Sequence, residues 1–179
     1  MFFQPYQVLN LMITIISLMV CIWLSLVRIP GLELFGITPN WVLIWLVTWS
    51  IKRSFLQAMV GGLCCGLILD GLTVSSPSHI ISLVIVSLLT VVMYKRIIKK
   101  IQEDFISVAV IVFGMAILVE AIRGFQLNSF GYSAIDELFR YQQRVALSTA
   151  ILSSLWAPVI YLPLNRWWAF LETSNQLKS

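Results

Sequence analysis

Apolar residues fall into long blocks, separated by short stretches that carry the polar residues, glycines and prolines. The first block, residues 8–27 (VLNLMITIISLMVCIWLSLV), is of membrane-spanning length. No Lys or Arg precedes it and no small-residue cleavage site follows it. It is therefore expected to be a retained first helix, not a signal peptide. Arg28 ends it. The next stretch, IPGLELFGITPN, is punctuated by Pro30, Gly31, Gly36 and Pro39 and predicts a tight external loop, partly re-entrant. Pro39 suits the first turn of a second helix over 39–51, closed by Lys52 and Arg53.

A third helix is predicted over 55–72, followed by the turn TVSSPSH with Pro77 as a breaker. A fourth is predicted over 79–95, a fifth over 105–122 and a sixth over 145–165, where Pro158 and Pro163 predict a kink. Between the last two lies the longest polar stretch. Ser133 followed by Asp136 resembles a helix start. Ile135, Leu138 and Phe139, beside Glu137, Arg140 and Arg144, predict a short amphipathic helix on the membrane surface. The pattern predicts an all-α polytopic membrane protein: six transmembrane helices in one bundle, a single integral membrane domain over 1–179.

Composition sharpens this. Of 179 residues, 59% are hydrophobic and 11% charged, with a mean hydropathy of +0.92. A soluble domain carries roughly 25% charged residues, so no separate soluble domain of ordinary size fits. The net charge is +4. The basic residues cluster at the ends of apolar runs, a membrane-topology pattern rather than a nucleic-acid surface. With six spans, eight of the twelve Lys and Arg fall on one side and four on the other. The positive-inside rule then predicts cytoplasmic N- and C-termini. Lys95, Arg96, Lys99 and Lys100 form a dense basic loop on that side, suited to lipid headgroups or to a cytoplasmic partner.

The chemistry is sparse. Ala58, Gly62, Gly66 and Asp70 sit four apart and share one helix face, where small residues admit a neighbouring backbone. An acid costs about 2.5–3.5 kcal/mol at the membrane centre, so Asp70 is expected near the surface, with a partner, or both. Glu120 and Arg123 are expected on the same external side. Asp70 is expected to pair with Arg123, with Glu120 sharing the cluster. Trp41, Trp45 and Trp49 fall on one face, which is either a lipid-facing aromatic stripe or a docking face for another membrane helix. Cys21, Cys64 and Cys65 lie in apolar segments at no metal-site spacing and read as small buried side chains. His79, the one histidine, is expected to be a solvated turn residue. There is no Walker loop, no visible nucleophile–base pair, no chain of intramembrane acids and no half-to-half repeat. The expectation is a non-enzymatic binding or scaffolding subunit without cofactor or metal. An enzyme acting on lipid would need an acid–base pair, and Asp70 with His79 is the sole candidate, which nothing in the sequence brings within reach.

PNWVLIWLVTWSIKR, GGLCCGLILDGLT and SSPSH, followed by a new apolar helix, resemble MreD, the rod shape-determining membrane protein family, in its cyanobacterial branch. The resemblance covers roughly residues 25–100. Its most specific piece is Gly66-Leu67-x-x-Asp70. Ser78 stands where many members carry a glycine shortly after the turn proline. The resemblance implies a non-enzymatic member of the cell-elongation machinery in the bacterial inner membrane. MreC is its expected partner, with MreB, RodA and the elongation penicillin-binding transpeptidase as further neighbours. The family is also similar in outline to the six-helix substrate-binding subunits of energy-coupling factor transporters, the alternative assignment. Those subunits need a ligand cavity with converging polar groups, and many carry Ala-x-x-x-Ala patterns on the first helix, which here has no alanine.

Overall fold

The computed structural model describes residues 5–27, 31, 33–34, 36–73, 78–96, 105–129 and 135–176. Six helices follow in chain order: α1 (Pro5–Leu26), α2 (Trp41–Ser50), α3 (Phe55–Leu72), α4 (His79–Arg96), α5 (Phe105–Ser129) and α6 (Ile135–Gln176). All but α2 are long and apolar enough to cross a membrane. The chain is thus a multi-pass helical bundle. Its apolar side chains on the outer faces of α1, α3 and α5 suit lipid, among them Leu11, Trp23, Leu56 and Val110.

The bundle is built around its shortest helix. At about 1.5 Å per residue, α2 is about 15 Å long, half the hydrocarbon thickness. It is apolar on every side, and a helix of that kind is enclosed. Val42, Leu43, Ile44, Leu46, Val47 and Thr48 have no exposed surface. Packing against α1, α3, α4, α5 and α6 supplies the cover. The second helix, expected over 39–51, is present as the short central helix Trp41–Ser50. The tryptophan stripe is corrected: Trp41 and Trp45 are buried inside the bundle rather than set on its outer surface, and Trp49 is half-buried. Trp41 packs against Trp156 of α6 at 5.4 Å between ring centroids. Trp45 stacks on Trp49 at 5.5 Å and donates its indole N–H to Ser17 Oγ of α1 at 2.9 Å.

A helix that begins inside an apolar bundle must satisfy its first backbone N–H groups there. The preceding segment arranges this. Leu34 and Ile37 exchange two backbone hydrogen bonds across a turn in which Gly36 adopts φ 76°. The chain then reaches Asn40, whose Oδ1 accepts from Leu43 N at 3.1 Å. The Asn40 backbone N–H donates to Ser153 Oγ, deep in the apolar part of α6. Arg28 and Pro30, predicted to open this loop, lie outside the described residues.

α3 and α4 run antiparallel with their backbones in close approach. A Cβ at Gly62 would lie 2.9 Å from Leu83 O and Val84 Cα. One at Gly66 would lie 2.6 Å from Ile80 Cα. Ala58 on the same face is fully buried. α5 and α6 form the other tight pair, with Gly124 under the Gln142 side chain.

The sixth helix also departs from expectation. Residues 135–144 continue into α6 without a break, rather than forming a separate surface helix, and Pro158 and Pro163 lie within the same helix. At about 63 Å it exceeds the roughly 30 Å hydrocarbon core and extends beyond it. Ser133 lies outside the described residues, as do the side chains of Ile135, Asp136, Glu137, Leu138, Phe139 and Arg140.

Candidate functional site: a carboxylate–imidazole clasp and an apolar groove

The polar centre of the fold is where α3 ends and α4 begins. Gly66 lies one turn before Asp70, and its missing side chain lets Ile80 settle against α3. That approach carries the α4 N-terminus to the Asp70 carboxylate. Asp70 Oδ1 accepts from the His79 backbone N–H at 2.7 Å and lies 2.8 Å from His79 Nδ1. Asp70 Oδ2 accepts from the Ser78 hydroxyl at 2.5 Å. Ser78 Oγ in turn accepts from Ile80 N at 3.2 Å. Ser78, at the N-cap position of α4, and Asp70, from the end of α3, therefore cap α4 together. A negative charge at a helix N-terminus is also favoured by the aligned backbone dipoles.

His79 is buried, with 8% of its surface exposed, which corrects the solvated turn histidine. It also corrects the expectation that Asp70 and His79 stand apart. The expected Asp70–Arg123 pair is replaced: His79 is the basic partner of Asp70, because it opens the helix that Gly66 admits. Arg123 instead faces Glu120 on its own helix, Nη1 to Oε1 at 3.7 Å. Glu120 is itself buried.

Chemically, an imidazole whose Nδ1 is held by a carboxylate has a fixed tautomer and a directed Nε2. That is the orienting half of an acid–base device. Here the same carboxylate also binds the His79 backbone and the Ser78 hydroxyl, so its geometry is that of a helix cap. Among the described residues no group of three or more His, Cys, Asp or Glu is placed to hold a metal ion.

Two further features matter. At the end of α2, Arg53 lies over Trp49 (5.0 Å from guanidinium carbon to ring centroid) and Trp168 (5.8 Å), with Lys52 also over Trp168 (5.9 Å). Desolvation by burial lowers the pKa of Arg53, and a guanidinium stays charged regardless. Beside this cluster an open apolar groove of about 390 Å³ runs between α1, α2 and α3. Leu18, Trp45, Trp49, Val60, Gly61 and Cys64 line it. On α4, Lys95 and Arg96 are exposed at the helix end, while Lys99 and Lys100 lie outside the described residues. The three cysteines are free thiols, Cys64 exposed and the other two buried.

No family model, curated protein or solved structure matches the chain.

Sequence reasoning misses the roles of Ser78, His79, Ser153 and Arg53, reading His79 as a solvated turn residue and Arg53 only as the close of the second helix. The first two had a usable signal: a Ser immediately before an apolar helical run is a capping position, and Asp70 lies eight residues before it. Ser153 had none, since a lone serine in an apolar helix gives no hint of a distant backbone donor.

Proposed function

We propose that this chain is a membrane scaffold subunit of the MreD kind, which binds MreC and helps organise peptidoglycan synthesis during rod-shaped growth. The observation that carries the proposal is the use made of Asp70, the most chemically conspicuous residue. Its two oxygens close the α3–α4 turn through Ser78 and His79. Glu120 and Arg123 pair with each other. These groups are engaged in holding helices together, as a scaffold requires. The family resemblance of residues 25–100 supplies the partner.

With Trp41 and Trp45 inside the core, the partner's single span is assigned to the outer face of α1. Leu11, Met12, Ile16 and Met19 are exposed there, and α1 rests mainly on α2. MreB, RodA and the elongation transpeptidase would then be reached through MreC or through the polar ends of the bundle. The N- and C-termini are proposed to be cytoplasmic, on the charge count above.

A second reading, an enzyme acting on lipid, is favoured by the 2.8 Å approach of Asp70 to His79. It has the weaker claim, because the carboxylate already serves three donors. The transporter-subunit alternative needs converging polar groups around a ligand, and the groove between α1 and α3 is apolar.

A pull-down of the tagged full chain from solubilised native membranes tests these together. Recovery of MreC and cell-wall synthases is expected. Recovery of a paired ATPase with a coupling subunit, without MreC, would assign the chain to the transporter class. His79→Gln that abolishes function while MreC recovery and thermal stability stay intact would favour the enzyme.

A further inference from the structure

The groove between α1, α2 and α3 has features that a scaffold role does not explain. Its floor is the edge of the stacked Trp45–Trp49 pair, and the missing side chain of Gly61 lets the Trp49 ring pack on the α3 backbone, where a Cβ would lie 2.6 Å from that ring. Along α3 it runs from Leu56 and Gln57 to Cys64 and Cys65, about 12 Å of helix. Its lining is almost wholly apolar side chain.

Arg53 lies in the turn three residues before Leu56, the first α3 residue of the groove wall. Its guanidinium lies over Trp49, the residue that also lines the groove. Two indole faces are its packing partners, and none of the described acidic side chains forms an ion pair with it. Its Nε is buried without a hydrogen-bond acceptor. A guanidinium in that position is matched by a planar or tetrahedral oxyanion that takes two N–H bonds at once. The groove beside it accepts a chain of methylenes.

We propose that this groove is the seat of one anionic phospholipid of the surrounding membrane, its acyl chain on Trp45, Trp49 and Gly61 and its phosphate on Arg53. Charge complementarity selects the occupant: apolar walls beside a cation fit an amphiphile with an anionic head. At about 390 Å³ the groove takes one acyl chain, the rest of the lipid remaining in the bilayer. A partner helix about 10–12 Å across would enter it only with side chains. The proposal is independent of MreC. The lipid would brace α1, whose principal packing is on α2.

The test uses the purified full chain in neutral detergent, titrated with phosphatidylglycerol carrying brominated acyl chains, with tryptophan fluorescence as readout. Saturable quenching is expected, at a midpoint severalfold lower than for brominated phosphatidylcholine. Arg53→Gln should raise the phosphatidylglycerol midpoint about tenfold, to that of the zwitterionic lipid, as loss of a charge-assisted contact predicts. Val60→Phe fills the groove from an exposed position and leaves the charge in place, so it should cut the quenched amplitude. Trp49→Phe should remove a quenchable fluorophore. Equal midpoints for the two lipids on the wild-type chain would overturn the proposal. So would quenching indifferent to Val60→Phe, a result that stands even if Arg53→Gln fails to fold. Crosslinking of Cys64 to a partner's span, with no saturable lipid signal, would give the groove to a protein helix instead.

Discussion

Asp70 Oδ1 lies 2.7 Å from the backbone nitrogen of His79 and 2.8 Å from its Nδ1, so one carboxylate oxygen holds both the main chain and the ring of the residue that opens α4. The main-chain bond is the structural half of this clasp, and variants separate the two halves. Asp70→Ala removes the acceptor for three donors and should cost about 1–3 kcal/mol. Asp70→Asn keeps an oxygen for the backbone N–H and should cost less. His79→Ala loses only the ring contact and should also cost less than Asp70→Ala. Thermal unfolding in detergent ranks the three. An His79→Ala loss equal to that of Asp70→Ala would move the importance from cap to imidazole.

The glycines of the bundle divide by what surrounds them. A Cβ at Gly66 meets the backbone of Ile80 at 2.6 Å, and backbone cannot turn aside. Gly66→Ala should therefore part α3 from α4, costing about 1–3 kcal/mol as overpacking does, and it should loosen the Asp70 clasp one turn later. Gly114, in the middle of α5, has nothing within 4 Å of its Cβ position. Gly114→Ala should be neutral or add up to about 1 kcal/mol through helix propensity. Destabilisation by both substitutions alike would argue against the close α3–α4 approach.

Much of this architecture was legible in the sequence, and the exceptions have physical causes. Block lengths revealed the long helices, because membrane thickness sets a length that composition reports directly. The four-residue spacing of Ala58, Gly62, Gly66 and Asp70 placed them on one face. Periodicity failed on α2: a helix apolar on all sides presents the same pattern whether lipid or protein surrounds it, and only its enclosure by five neighbours decides. Trp41, Trp45 and Trp49 sit on one face in either case. The Asp70 partner was misassigned because charge alone pointed to Arg123. The true partners, Ser78 and His79, are brought there by a backbone approach at Gly66 that no charge count contains. The join of residues 135–144 to α6 was missed because polar residues at a membrane edge read equally well as a surface helix and as the protruding end of a long one.

The tie between α1 and α2 rests on few polar contacts, which makes it testable. Trp45 donates its indole N–H to Ser17 Oγ at 2.9 Å. Ser17→Ala leaves that buried donor unpaired, at a cost of about 1–3 kcal/mol, and weakens the hold on α1. Cys21, one turn along α1 and 4% exposed, reports the result. Its alkylation by a small thiol reagent should speed up in Ser17→Ala, while that of exposed Cys64 stays unchanged. Equal acceleration at both thiols would indicate general loosening of the bundle rather than release of α1.

Buried and outward-facing apolar residues should separate stability from partner binding. Trp41 is 5% exposed and packs on Trp156. Trp41→Ala opens a cavity beside the α2 N-terminus, where Asn40 is held to Ser153, and should cost about 3–5 kcal/mol. If the chain binds MreC as proposed, any fall in MreC recovery from this variant should track the fall in folded protein. Met12, Ile16 and Met19 on α1 are each more than half exposed. Their joint replacement by alanine removes no internal packing of that size and should leave the melting temperature nearly unchanged. If the partner's span lies on this face, MreC recovery should drop severalfold at constant folded yield. Unchanged recovery would exclude the α1 face and move the search to the outer surfaces of α3 and α5. The comparison works because the fold has already divided its tryptophans and methionines between core and surface, so a variant on one side leaves the other intact.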